Sequence, residues 1–199
     1  MSHRLEDVMA LFDGLFLPHY RTRLVRGGDE PLYLPADDVV PWHRVIFARG
    51  FYASALHEVS HWCIAGARRR GLEDYGYWYL PDGRDARQQG EFETVEVAPQ
   101  ALELLFSRAC GRPFQVSIDN LGDVVVDREG FEARVQERAE RYLEEGLPKR
   151  AAAFQQALTA FYREGASLEV AVVTGQRRLG PVGSRRVEGA PDSPERSAI

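Results

Sequence analysis

Leu56-His57-Glu58-Val59-Ser60-His61-Trp62-Cys63-Ile64 is the stretch on which the reading of this chain turns. It contains the pattern H-E-x-x-H. Residues four apart on a helix lie on one face, a turn apart, so His57 and His61 can grip one metal ion from the same side. Glu58, between them, is placed to act on a metal-bound water or to orient a ligand. The pattern needs a helix, and its surroundings supply one. Leu56, Val59, Cys63 and Ile64 recur at helical spacing and describe an amphipathic, largely buried segment. Ser54 is a plausible N-cap, or the helix begins just after Gly50. Arg68, Arg69 and Arg70 load the expected last turn with positive charge before Gly71, which suits a helix C-terminus. The bland alternative is a core helix whose histidines bond locally.

Two histidines do not complete a catalytic metal site; a carboxylate or a third histidine is needed. The chain has five histidines. His3 lies near a terminus, His19 follows Pro18 in a loop-like stretch, and His43 precedes the apolar Val45-Ile46-Phe47, which leaves His43 as the one serious third imidazole. The segment Glu91-Phe92-Glu93-Thr94-Val95-Glu96-Val97-Ala98-Pro99-Gln100 offers better candidates. It leads into a helix whose inner face carries Ala101, Leu104, Leu105 and Ala109. Glu96, flanked by Val95 and Val97, falls near that face and is the favoured third ligand; Glu93, one turn earlier, is the alternative. Pro99 either opens a new helix or kinks a longer one. Two histidines and a carboxylate fit a zinc hydrolase with Glu58 as base, and equally an iron oxygenase.

Elsewhere the residues predict a helix-rich α+β domain with a small mixed sheet. An amphipathic helix is expected over 4–16, an extended edge segment at Pro31–Pro35, and strands at Arg44–Ala48, Tyr75–Leu80 and Phe114–Ile118. Helices are expected from about Gln88 to Cys110, over Phe131–Glu145 and over Ala151–Arg163. Ser167–Val173 reads as a further strand. From Gly175 the chain is rich in Gly, Pro, Ser and Arg without apolar periodicity, which reads as disorder, with Arg177-Arg178 and Arg185-Arg186 on a solvated tail. The expected division is a catalytic domain over 1–165 and an extension over 166–199.

At 44% hydrophobic and 28% charged residues, the 199-residue chain has the composition of one globular domain. A formal net charge of −5 argues against non-specific nucleic-acid binding. No apolar run approaches membrane-spanning length, and Met1–Asp7 lacks a secretory signal, so a cytoplasmic location is expected. Cys63 and Cys110 read as reduced, buried thiols.

The longer motifs carry a resemblance. Ile46-Phe47-Ala48, Gly50-Phe51-Tyr52-Ala53-Ser54, Leu56-His57-Glu58, Ser60-His61-Trp62-Cys63-Ile64-Ala65-Gly66, Tyr75-Gly76-Tyr77-Trp78-Tyr79, Pro81-Asp82-Gly83-Arg84-Asp85, Phe92-Glu93, Val95-Glu96-Val97 and Pro99-Gln100-Ala101-Leu102 together resemble the elongation factor P hydroxylase family, over roughly residues 5–163. The resemblance implies O₂-dependent hydroxylation of the β-lysylated lysine of elongation factor P, the last step of that modification. It implies a scaffold reminiscent of H-E-x-x-H zinc peptidases. It also implies a metal, iron in function, held by His57, His61 and an acidic residue in the Glu93–Glu96 segment. Neither the reductant nor the hydroxylated carbon is readable from the residues. Glu58 would act as a proton-transfer or ligand-orienting carboxylate. For a substrate bearing extra amines, Asp82 and Asp85 are candidate partners, Tyr77 and Trp78 candidate packing surfaces, and Arg84 a candidate contact to the partner protein. The rival reading is a zinc-dependent peptidase or amidase; a third is a metal-stabilised binding protein without catalysis.

Overall fold

A computed structural model describes residues 3–76, 86–118 and 127–181. Among them are six α-helices and a three-stranded mixed sheet. Helix α1 spans Leu5–Tyr20, longer than the apolar stripe predicts, with Pro18 tolerated in its last turn. His19 therefore lies on a helix rather than in a loop, and its ring contacts Leu15 O and Gly180 O at 3.0 Å each. The sheet follows: β1 (Thr22–Arg26), β2 (Leu32–Leu34) and β3 (His43–Phe47). Strand β3 is central, parallel to β1 with Thr22 opposite His43, and antiparallel to β2 with Leu32 opposite Ile46. The proline-flanked β2 takes an edge, where missing donors are harmless.

Arg49 and Gly50 then adopt φ of 51° and 68°. This left-handed pair turns the chain directly from β3 into the motif helix α2 (Tyr52–Ile64). Of the two expected starts, the one just after Gly50 is found: Phe51 is the N-cap, and the Ser54 Oγ instead accepts a hydrogen bond from Ala48 N at 3.0 Å. It also ends before the arginine run: Arg69–Gly71 form a separate single turn of 3₁₀ helix.

Helix α3 (Ala86–Cys110) is continuous through Pro99, and α4 (Arg128–Glu145) and α5 (Lys149–Tyr162) follow near their expected positions. Two expected strands are absent. Residues 112–118 form neither helix nor strand. Ser167–Val173 is not a strand but the start of helix α6 (Leu168–Leu179), whose N-terminus Ser167 caps through Val170 N at 3.3 Å. The helix runs past Gly175, so Arg177 and Arg178 sit in its last turn. Of the expected aromatic strand Tyr75–Leu80, only the start is described, and Glu73–Gly76 form a tight 3₁₀ turn there.

The core gathers Phe12 and Phe16 of α1, Trp62 of α2, Phe106 of α3 and Phe154 of α5. Trp62 packs at 5.2 and 4.7 Å (ring centroids) from Phe12 and Phe16. The residue after His61 is thus locked into the centre of the protein, which fixes the rotation of α2. Cys63 and Cys110 are buried free thiols. No helix among the described residues is long and apolar enough to cross a membrane.

Candidate metal centre

Helices α2 and α3 pack face to face, and their polar residues meet at one point. His57 Nε2 and His61 Nε2 lie 3.1 Å apart. Glu96 reaches across from α3, with Oε1 at 3.2 Å from His61 Nε2 and Oε2 at 3.5 Å from His57 Nε2. One ligand atom from each residue lies within 4.8 Å of the others. Bonds of about 2.1 Å to one ion give ligand separations of roughly 3.0 Å at right angles and 3.4 Å at tetrahedral angles. The imidazole nitrogens, 3.1 Å apart, and the two Glu96 oxygens, 3.2 and 3.5 Å from them, lie close to that range, so the three residues could hold a single divalent ion.

The surroundings hold these donors in place. Glu103, two turns beyond Glu96 on α3, places Oε2 at 2.8 Å from His57 Nδ1. That contact favours the tautomer with the proton on Nδ1 and leaves the Nε2 lone pair facing the cluster, as a carboxylate behind a ligating histidine does. Gln100 Nε2 donates to Glu96 Oε2 at 3.4 Å and to Ser117 O at 2.7 Å. Gln100 Oε1 accepts from Ser117 N at 3.0 Å. One amide thus pairs with both backbone groups of Ser117 and steadies the Glu96 carboxylate as well. The C-terminus of α2 is capped by Arg150, whose Nη2 donates to Trp62 O, Cys63 O and Ala65 O at 3.0, 3.0 and 2.6 Å. A cation there satisfies the last carbonyls and opposes the negative end of the helix dipole.

Charge at the cluster is balanced without an ion only by protons. Burial works against a charged His57, yet the hydrogen bond to Glu103 and the charges of Glu96, Glu103 and Glu58 outweigh it and raise its pKa. Burial likewise works against ionised Glu96, but the charge and hydrogen bond of His61, then His57 and Gln100, bring its pKa below the ordinary value. A cluster that draws in positive charge between its donors is one in which a metal ion can replace the proton. Glu58 differs: burial raises its carboxyl pKa, His57 and His61 counter this in part, and Glu96 and Asp74 add to it.

Sequence reasoning chose Glu96 over Glu93, and the two separate in space. Glu93 Oε2 pairs with Arg134 Nη2 of α4 at 2.6 Å and is outside the converging set. His43 is also elsewhere: its Nδ1 accepts from Ala36 N at 3.0 Å. Glu103 and Gln100 carry no role in the sequence reading. Their signal is nonetheless present, since 96, 100 and 103 fall on one helical face. Tyr77, Trp78, Asp82, Arg84 and Asp85 lie outside the described residues.

A cleft of about 510 Å³ opens beside the cluster, lined by His61, Ile64, Arg68, Tyr75, Val95 and Pro99 among others. Fold and site together define a helix-rich protein with two histidines and a carboxylate that could hold a metal ion, beside an open cleft. Comparison with known proteins then places it. The profile of the elongation factor P hydroxylase family matches residues 11–172. The chain is 54% identical over 162 residues, 81% of its own length and 91% of the relative's, to the elongation factor P lysine hydroxylase of Haemophilus influenzae. This chain belongs to the elongation factor P hydroxylase family.

Proposed function

We propose that this protein hydroxylates the β-lysylated lysine side chain of elongation factor P in the cytoplasm, with Fe(II) held by His57, His61 and Glu96 and O₂ as cosubstrate. The observation that carries the reading is the three-donor cluster, which reaches an open cleft through His61, in a chain 54% identical to an elongation factor P lysine hydroxylase. A ferrous ion in such a site supplies O₂ activation and insertion of one oxygen atom into an unactivated C–H bond.

The chain's own residues do the rest. Glu103 holds the His57 ring in register, and Gln100 holds the Glu96 carboxylate. Glu58, with its raised pKa, is suited to carry a proton on a carboxylate oxygen and release it within the site. Trp62, fully buried, and the Arg150 cap keep His61 from shifting along the helix axis. On the same reading Asp82 and Asp85 pair with the substrate's amines, Tyr77 and Trp78 pack against its aliphatic stem, and Arg84 meets the body of the factor. The scaffold is read as related to that of H-E-x-x-H peptidases, with two imidazoles on one helix and the carboxylate on the next.

The test is intact-mass spectrometry of β-lysylated elongation factor P incubated with iron-loaded protein, a reductant and air, beside His57→Ala protein and an anaerobic sample. The expected result is a gain of one oxygen atom in the first sample alone. No gain with iron loading verified overturns the proposal, and O₂-independent cleavage of the factor with zinc bound installs the peptidase reading instead.

A further inference from the structure

The run Arg68-Arg69-Arg70 reads in the sequence as the charged last turn of the motif helix, but α2 ends at Ile64 and leaves the run outside it. Arg70 has a structural part. Its Nη1 donates to Ala65 O at 2.6 Å, its own carbonyl accepts from Tyr33 Oη at 2.7 Å, and its guanidinium lies 5.7 Å from the centre of the Tyr20 ring. Arg68 and Arg69 are placed differently. Both are exposed, and both line the cleft that His61 reaches. Both also line a smaller cavity of about 230 Å³, together with Leu72, Tyr75 and Gly76.

Exposed apolar side chains gather at the same two hollows. Ile64 of α2 and Val95 of α3 are 36% and 37% exposed and line the cleft, while Leu72 is 46% exposed and lines the smaller cavity. Three separate stretches of chain thus present large apolar groups to solvent in one region, a mark of surfaces that meet a partner. The sign of charge is inverted there as well. The whole chain carries a net charge of −5. Among the described residues lining the two cavities there are two arginines and no carboxylate.

The carboxylates lie behind this surface. Glu96 and Glu103 are buried, and with Glu58 they bring negative charge to His57. A partner that fits must carry charge in the opposite order: a cationic group at the tip that enters, and acidic groups around its base. The lysyl side chain of the proposed substrate supplies the cationic tip. Its amines are repelled by guanidinium groups, so the arginines must meet something else on the same partner.

We infer that Arg68 and Arg69, together with Ile64, Leu72 and Val95, form a docking surface for elongation factor P, and that the two arginines receive acidic side chains flanking its modified lysine. The inference rests on the function proposed above and names the face of the partner that the site reads. It also gives the arginine run a use that a helix terminus does not.

Arg68→Glu reverses one exposed charge at the cleft. Arg177→Glu, on α6 and lining neither cavity, makes the same change of net charge elsewhere. The full-length, iron-loaded proteins are titrated anaerobically with β-lysylated elongation factor P at low and at high salt. Aerobic turnover, iron content and thermal midpoint are measured in parallel. For Arg68→Glu the expected result is about tenfold weaker binding at low salt, as attraction becomes repulsion, and a difference that largely closes at high salt. Turnover at saturating factor, iron content and thermal midpoint stay at wild-type values, and Arg177→Glu binds as the wild type does. Leu72→Ser weakens binding about fivefold at both salt concentrations, because a lost apolar contact is not screened. Tighter or unchanged binding by Arg68→Glu, an equal loss from Arg177→Glu, unchanged binding by Leu72→Ser, or a loss matched by lower iron content or midpoint overturns the inference. In each of these cases oxygen gain by the factor with wild-type protein leaves the hydroxylase reading standing. Wild-type protein that adds no oxygen to the factor overturns that reading first, and this inference with it.

Discussion

The two ends of the helical core are equally buried and opposite in content. Where α3 faces α2, Glu96 and Glu103 are 3% and 7% exposed, beside Gln100 at 1%. Where α5 faces α1 and α6, Ala151, Ala153, Phe154, Ala157 and Leu158 are fully buried, with Ala171 and Gly175 facing them from α6. The apolar end is held by shape and by area removed from water. The polar end keeps its carboxylates buried only because imidazoles and an amide pair with them, since a buried charge without a partner is costly. The apolar packing and the candidate metal cluster thus occupy different halves of one small core, with α2 shared between them: His57 and His61 on one side, Trp62 on the other.

The hardest blow to this division falls on the polar half. His61→Ala or Glu96→Gln removes one of three donors, and turnover should fall by on the order of a thousandfold or more. Iron content, read by elemental mass spectrometry, should fall with it, while the far-ultraviolet circular dichroism keeps its helical signal. Loss of the helical signal in both variants would show that the polar end also holds the fold. Glu103→Gln is the next step down. It removes no ligand, only the carboxylate behind His57, and metal affinity should drop about 10- to 100-fold. An unchanged metal titration would return Glu103 to a purely structural part.

The apolar half yields the opposite signature. A Cβ added at Gly175 would meet Ala153 O at 2.5 Å and Leu15 Cδ2 at 2.8 Å. Gly175→Ala therefore forces α6 away from α5 and α1, at a cost of about 1–3 kcal/mol. Chemical denaturation should report that loss, with iron affinity at the wild-type value. A fall in iron affinity as large as that from Glu103→Gln would mean the halves are coupled through α5 and α2.

Gly175 also shows where the sequence stopped being legible. In the chain it marks the start of a Gly- and Arg-rich stretch that reads as disorder. In the fold it is the notch that lets two helices approach. The β-branched run Val170-Ala171-Val172-Val173 reads as a strand, yet Ala171, Gly175 and Leu179, four apart, form the buried face of a helix. Tertiary contact overrides local propensity there. Strand β1 escaped notice because Thr22-Arg23-Leu24-Val25-Arg26 is short and half charged, although its buried Thr22 and Leu24 do alternate with exposed Arg23. Phe114–Ile118 has strand-like alternation but forms no strand, and the Gln100 side chain pairs with the backbone of Ser117. The metal helix, by contrast, was legible because motif and apolar period agree over the same residues. The burial of Glu96 was legible because its neighbours are apolar. Glu103 needed one more step, counting seven residues along the same face.

The smallest expected effect gives the sharpest comparison, because it sets two residues of one type three positions apart. Glu93 and Glu96 share helix α3, and a sequence alone ranks them by little more than their neighbours. The fold separates them by direction. Glu96 turns inward to two imidazoles, while Glu93 meets the half-exposed guanidinium of Arg134. An exposed ion pair of this kind is worth about 0–1 kcal/mol. Glu93→Gln should therefore shift the denaturation midpoint slightly or not at all, and leave iron content and turnover at wild-type values. Arg134→Ala should behave the same way, since it breaks the same pair from the other side. Were Glu93→Gln to empty the site as Glu96→Gln does, the third donor would be shared between the two carboxylates. The packing of α3 on α2 would then have to rotate by about a turn's worth of residues to bring Glu93 inward. That rotation would carry Glu103 away from His57, so Glu103→Gln in the same preparation would lose its effect on metal affinity. The two titrations together decide which face of α3 the ion meets.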